Sequence, residues 1–275
     1  MIPVRYSIAA ITPTLCALFG VRNPSACTEI AIPEILSFGN RKLRGKLLEK
    51  CLIFAPDAIG EHLLSVNPLL FSRLNQLADR QIPMLSVVPS FTPVCFASMF
   101  TGADPDIHGI RKYEKPVVQI ETLFDVLAEA GKRVAIVSVQ DSSIATIFQQ
   151  RDLDYYPTEN DLQVIIRSET LIKAGKHDLI LSYQQEYDDE LHHSDPYSQA
   201  AVQASNNHLE AFLRLHRCVR RAWQKYHHLI LFSPDHGAHY DALLGRGMHG
   251  TDRPEDIEIT HFYTLKKARW KLWQK

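Results

Sequence analysis

Short runs of β-branched and apolar residues, each followed by a longer stretch of helical periodicity, constrain this chain more than any other feature. That alternation is the pattern of an α/β fold, a parallel sheet covered by helices. The runs predict strands at Cys51–Ala55, Met84–Val88, Arg133–Val139, Asp178–Ser182, His228–Phe232 and Ile257–Thr264. Between them, Glu121–Ala130 places Leu123, Val126, Leu127 and Ala130 on one helical face, and Gly131 follows where a C-terminal cap is expected. Ser198–Gln224 is the longest helical candidate, with Ala201, Ala204, Leu209, Phe212, Leu215 and Val219 along one stripe.

The chain has 275 residues, 45% of them apolar, enough for a sizeable core. No internal repeat, low-complexity tract or Gly/Ser linker divides it, so one compact domain spanning residues 1–275 is expected. Thirty basic residues against 31 acidic ones leave a net charge of -1, which points to neither a nucleic-acid partner nor an anionic membrane. Five widely spaced cysteines without a CxxC pair argue against a disulfide framework and a cysteine zinc site. No run approaches the roughly 20 apolar residues of a membrane span. Ile8–Val21 is the one segment like a signal-peptide core, but Pro13 and Thr14 interrupt it and only Arg5 precedes it. A cytoplasmic location is therefore expected, with secretion as the alternative.

The chemistry gathers at the C-terminal ends of predicted strands, where open α/β sheets place their ligand crevice. Asp57 ends the run Cys51-Leu-Ile-Phe-Ala-Pro-Asp57, and Asp235-His236-Gly237 ends the run beginning at His228, the glycine allowing a sharp backbone turn. Carboxylate and imidazole together suit zinc or manganese. If Tyr187–Pro196 forms a turn of helix, Asp188 and His192 share one face. Thr92, followed by Pro93, would stand at a helix N-terminus, where an anion is stabilised. Each of these features alone has a plainer reading: a capping Asp57 or Thr92, a solvated acidic loop at Asp188, a surface histidine at His249.

Taken in order, the pieces resemble the alkaline phosphatase superfamily, particularly its nucleotide pyrophosphatase/phosphodiesterase branch. The resemblance rests on Asp57, then Thr92, Thr101-Gly102, Pro105 and His108-Gly109-Ile110, then Asp188 and His192 before Pro196, Asp235-His236-Gly237, and His249-Gly250, and it spans about 52–251. It implies a three-layer αβα sandwich with a mostly parallel central sheet. It further implies two divalent metal ions, zinc favoured and manganese possible. Asp57, Asp235, His236 and Thr92 would hold one, and Asp188, His192 and His249 the other. Thr92 would be the nucleophile, forming a phospho-threonine on a small phosphoester substrate, a phosphodiester or nucleotide pyrophosphate. A phosphomonoesterase or phosphonate hydrolase is the alternative, and a non-catalytic metal-binding descendant a further one.

Departures mark where the resemblance stops. Cys95 stands where that branch has an asparagine against a phosphate oxygen, and a thiol is a poor substitute for an amide donor. The usual Asp-Gly at the first ligand is Asp57-Ala58 here, and the residues after Thr92 lack the sulfatase pattern. The segment Ile8–Pro24 looks like the helix that follows the last ligand in the superfamily, so residues 1–50 suggest a permuted order. His239, Lys112, Arg111 and Lys115 are weaker candidates for orienting an anionic substrate. The basic and aromatic tail from Lys266 to Lys275 could touch a membrane surface or nucleic acid, although a docked or frayed terminus explains it as well.

Overall fold

In the computed structural model, which describes residues 4–269, the centre is an eight-stranded sheet. Its strands are β1 (Tyr6–Ser7), β2 (Lys50–Pro56), β3 (Arg80–Leu85), β4 (Val134–Val139), β5 (Asp154–Thr158), β6 (Leu179–Gln184), β7 (His228–Phe232) and, after the two-stranded ribbon of β8 (His239–Asp241) and β9 (Arg246–Met248), β10 (Glu258–Lys266). Their order is β1-β3-β10-β7-β2-β6-β4-β5. The pairs within β7-β2-β6-β4-β5 and between β1 and β3 are parallel, whereas β10 runs antiparallel to both of its neighbours. The expected mostly parallel α/β sandwich is what the chain forms.

Helices cover both faces because the central strands are apolar on both. On β2 every residue is buried; Cys51, Ile53 and Ala55 enter one core and Leu52 and Phe54 the other. The first face carries α1 (Ile11–Phe19), α2 (Pro33–Leu43) and α3 (Thr92–Thr101). The second carries α4 (Asp161–Ala174), with the short α5 (Glu186–Leu191) at its crest and the long α6 (Gln199–Ala222). There Phe54, Phe212 and Phe232 meet with ring centroids 5.2 to 5.6 Å apart.

The predicted strands are all present, with two informative shifts. The strand expected at Met84–Val88 runs instead from Arg80 to Leu85 and includes Pro83. Its partner β1 pairs only with Met84 and Leu85, so Pro83 lies where no ladder on that side needs its missing N–H. The edge strand β5, Asp154-Tyr-Tyr-Pro-Thr158, gives little apolar signal and was not expected. The N-terminal segment packs on the face that also holds Ile259, Tyr263 and Leu265 of β10. Thr12 Oγ1 donates to Met99 O of α3 at 2.7 Å, and Leu48 N to Leu18 O at 2.8 Å. This placement supports the permuted order, which we keep as a proposal. The tail beyond Arg269 lies outside the described residues. All five cysteines are unpaired, and no described helix is long and apolar enough to cross a membrane.

Asp161 fixes the short helix α5 in place: its Oδ2 accepts from Gln185 N at 3.0 Å and Glu186 N at 2.9 Å, while Oδ1 is buried without a partner. Burial raises its carboxyl to about 7 against those two bonds. The folded state thus binds the proton more tightly than the unfolded chain, and stability falls as pH rises from about 4 to about 7. Asp161→Asn, which keeps the acceptor and removes the charge, is expected to raise Tm more at pH 8 than at pH 4, by a difference of about 3–6 °C in thermal melts.

Candidate metal centre

Every main candidate from the sequence lies at one crest of the sheet. Asp57 follows β2, Asp235 and His236 follow β7, Asp188 lies in α5 with His192 as its C-cap, and Thr92 is the first residue of α3. His249 follows β9. Thr92 is thus inside the helix with Phe91 as N-cap, one position later than a capping threonine.

The groups converge in two adjoining sets. Thr92 Oγ1 lies 3.3 and 3.5 Å from the Asp57 oxygens and 3.2 Å from His236 Nε2. His236 Nε2 is 3.2 Å from Asp57 Oδ1 and 3.4 Å from Asp235 Oδ2. In the second set Asp188 Oδ1 is 3.3 Å from His249 Nε2 and 3.5 Å from His192 Nε2, and the two imidazole nitrogens are 3.1 Å apart. Among the described residues, two groups have ligand atoms all within 4.8 Å of one another: Asp57, Asp235 and His236, and Asp188, His236 and His249. His236 therefore stands between the sets, its ring stacked on His249 at 4.1 Å.

These side chains fit divalent cations on three counts. Each imidazole spends its Nδ1 on a carbonyl: His236 on Gly237 O at 3.0 Å, His192 on Gly247 O at 3.1 Å, His249 on Ser90 O at 2.9 Å. That fixes the tautomer and turns three Nε2 lone pairs inward. Asp188 Oδ1 and Asp235 Oδ2 are buried without a hydrogen-bond partner. Finally, three carboxylates share a site that water barely reaches. Burial, then the neighbouring Asp235 and Asp188, pushes the Asp57 carboxyl far up, and burial and Asp188 raise Asp235 to about 7. A cation removes that repulsion.

The sequence did not single out the groups that brace the centre. Tyr183, in β6, donates its hydroxyl to Asp57 Oδ2. As a tyrosine within an apolar strand it reads as core, and only its place one strand away from Asp57 betrays the role. Ala58 adopts φ +62°, and its N–H donates to Asp235 Oδ1 at 3.3 Å. This left-handed position is one that glycine takes without strain and where alanine costs about 1 kcal/mol or more. Gly237 has a different purpose from the sharp turn expected of it. A Cβ there would overlap the Glu255 carbonyl oxygen and approach Gly60 Cα at 2.9 Å, so the glycine permits close packing of the loops.

The weaker candidates separate. Cys95 is fully buried under the site, its Sγ 3.1 Å from Ser86 Oγ, and burial pushes its thiol far up. It presents no surface to the crest. His239 Nδ1 lies 2.6 Å from Asp256 Oδ1, while Asp256 Oδ2 accepts from Thr251 N and Oγ1; the histidine steadies the loop after His249. Lys112 is exposed and pairs with Glu114 at 3.4 Å, Arg111 pairs with Asp106, and Lys115 donates to Asp141 O.

The fold is that of the alkaline phosphatase superfamily. The family model of type I phosphodiesterase / nucleotide pyrophosphatase matches residues 52–239, and the chain belongs to that family. Phosphonoacetate hydrolase from Sinorhizobium meliloti 1021, solved with phosphonoacetate, is similar with a TM-score of 0.53 and 16% identity over 73% of this chain and 60% of that one. Human ectonucleotide pyrophosphatase / phosphodiesterase 5 gives 0.56 and 16% over 69% and 57%. The C-terminal periplasmic domain of EcEptC from Escherichia coli, solved with zinc, gives 0.55 and 12% over 84% and 75%. The chain thus spans about 60% of the length of the first two structures. No curated protein sequence matches it.

Adding zinc to chelator-stripped protein is expected to raise Tm by about 5–10 °C at ligand concentrations near 100 Kd. Asp188→Asn should halve the bound metal measured by elemental analysis, and Gly237→Ala should lower it with a reduced Tm even in the metal-free protein.

Proposed function

We propose that this chain is a metal-dependent phosphoester hydrolase with Thr92 as nucleophile, acting on phosphodiester or nucleotide pyrophosphate bonds of a small molecule. The observation that carries the reading is Thr92 Oγ1, placed in the first turn of α3 within 3.2–3.5 Å of both Asp57 and His236. Family membership supports the reaction class, and the three superfamily neighbours support the fold on which it runs.

Asp57, Asp235, His236 and Thr92 would hold one divalent ion and Asp188, His192 and His249 the other. Such ions supply charge neutralisation for phosphoryl oxygens and a lowered hydroxyl pKa. The mixed carboxylate and imidazole donors favour zinc, as does the similarity to a zinc-containing neighbour.

The protein's own contribution is position. Asp57 takes the Thr92 proton as Oγ1 attacks phosphorus, the alkoxide of the leaving group departs on the opposite side, and water then cleaves the phospho-threonine. The N-terminus of α3 faces the developing charge. Tyr183 donates to Asp57 Oδ2, the oxygen 3.3 Å from Thr92 Oγ1, and so orients the carboxylate, while Oδ1 lies 3.2 Å from His236 Nε2. The proposal places the activity in one catalytic domain, a reading supported by the core that N- and C-terminal elements share.

Protein stripped of metal and reloaded with zinc or manganese is to be assayed on nitrophenyl phosphodiester, phosphomonoester and sulfate ester. Turnover is expected to need metal, to be fastest on the diester, and to fall at least about 10³-fold in Thr92→Ala. A faster monoester reaction would move the protein to the phosphomonoesterase reading; Thr92→Ala with undiminished turnover would remove the nucleophile assignment.

A further inference from the structure

At the end of the sheet opposite the metal centre, Lys266 of β10 pairs with His228 of β7, and a cavity of about 490 Å³ opens beside them. Its wall is almost entirely cationic: Lys42, Arg220, Arg221, Lys266, Lys267 and Arg269. Only Asp79 answers them, 3.2 Å from Lys42 Nζ and 3.3 Å from Lys266 Nζ. The other four make no ion pair among the described residues. A chain with a net charge of -1 has thus concentrated six cations on one small surface, where Asp79 alone offsets their mutual repulsion among the described residues.

A second observation points the same way. His228 lines this cavity, is 3% exposed, and gives its Nδ1 to Tyr226 O at 2.9 Å; its Nε2 is buried with no partner. A buried polar atom without a partner is destabilising by about 1–3 kcal/mol unless something supplies one. Burial holds this imidazole below its ordinary pKa, with Lys266 and Arg220 adding to the effect, so Nε2 is an acceptor and calls for a donor. The site therefore combines donors for anionic oxygens with one acceptor for a hydroxyl proton.

We infer that this cavity binds a small, multiply charged phosphate-bearing anion, with Arg220, Arg221 and Lys267 holding its oxygens and His228 Nε2 accepting from a protonated phosphate oxygen. Guanidinium groups match phosphate oxygens in fork geometry, and the volume suits a ligand of nucleotide size or less. Hydrogen phosphate carries the required proton near neutral pH, whereas sulfate, of the same shape and charge, does not. The inference is independent of the metal centre and of the reaction proposed there.

The test uses the full chain after chelation, so that the metal centre contributes no anion affinity, and titrates inorganic phosphate, pyrophosphate and sulfate by calorimetry. Saturable binding at one site is expected, tightest for pyrophosphate, with phosphate at least 10-fold tighter than sulfate. Arg220→Gln/Arg221→Gln, two exposed positions, should weaken pyrophosphate at least 10-fold, and Thr92→Ala should leave it unchanged. His228→Phe should bring phosphate and sulfate to equal affinity; if His228→Phe fails to fold, Lys267→Gln, at a half-buried position, serves as a second variant and should weaken pyrophosphate. Equal weakening by Thr92→Ala, no saturable binding, or sulfate binding as tight as phosphate would each overturn the proposal. So would sedimentation with phosphatidylserine vesicles, but not phosphatidylcholine, by protein that ignores all three soluble anions, because the surface would then be a membrane contact.

Discussion

Two buried carboxylates, Asp57 and Asp235, and the half-buried Asp188 converge on His236 and His249, and the surrounding architecture follows from making that arrangement tolerable. Isolated buried carboxylates would simply protonate. Here three imidazoles face them, and each is held by a carbonyl from a different stretch: Gly237, Gly247 and Ser90. The loops are consequently parts of the donor set, since moving any one of them turns a ring away. Their close approach explains why glycine stands at 60 and 237, where backbone meets backbone. It also explains why Ala58 remains in a left-handed conformation, donating its N–H to Asp235.

The sheet supplies the rigidity that this demands. Asp57 and Asp235 extend from β2 and β7, adjacent and parallel, each buried on both faces. Asp188 reaches the same crest from β6 through the single helical turn of α5, which Asp161 clamps at its N-terminus. Thr92 arrives on a helix whose ten residues are all buried. A set of candidate ligands spread over some 190 positions of sequence, Asp57 to His249, is thereby held at one crest of the sheet.

Much of this was legible in the residues, for identifiable reasons. β7 matches its apolar run His228–Phe232 to the residue because Ser233-Pro234 ends it sharply. Asp188 and His192 could be paired by helical spacing alone. Other features left no such mark. β5 is a polar edge strand with Pro157 in it, and Pro83 disguised the start of β3. Local pattern gives no sign of the antiparallel direction of β10. Tyr183 and Cys95 look alike in sequence, buried residues near the site. Yet the hydroxyl reaches Asp57, while the thiol is turned to Ser86 beneath it. The cationic cavity draws on Lys42, α6 and the end of β10, three places no single motif joins.

The position of β10 between β3 and β7 has a consequence for how the molecule comes into being. On one side of it lie β1 and β3, the unit that presents Thr92; on the other lie the five strands that carry Asp57, Asp188 and Asp235. No hydrogen bond of the sheet crosses between these halves except through β10. A nascent chain still lacking residues 258–266 can form the two halves but has no ladder to bring the threonine to the carboxylates. The ladder that joins the threonine's unit to the carboxylate-bearing strands is therefore complete only once residues 258–266 are in place.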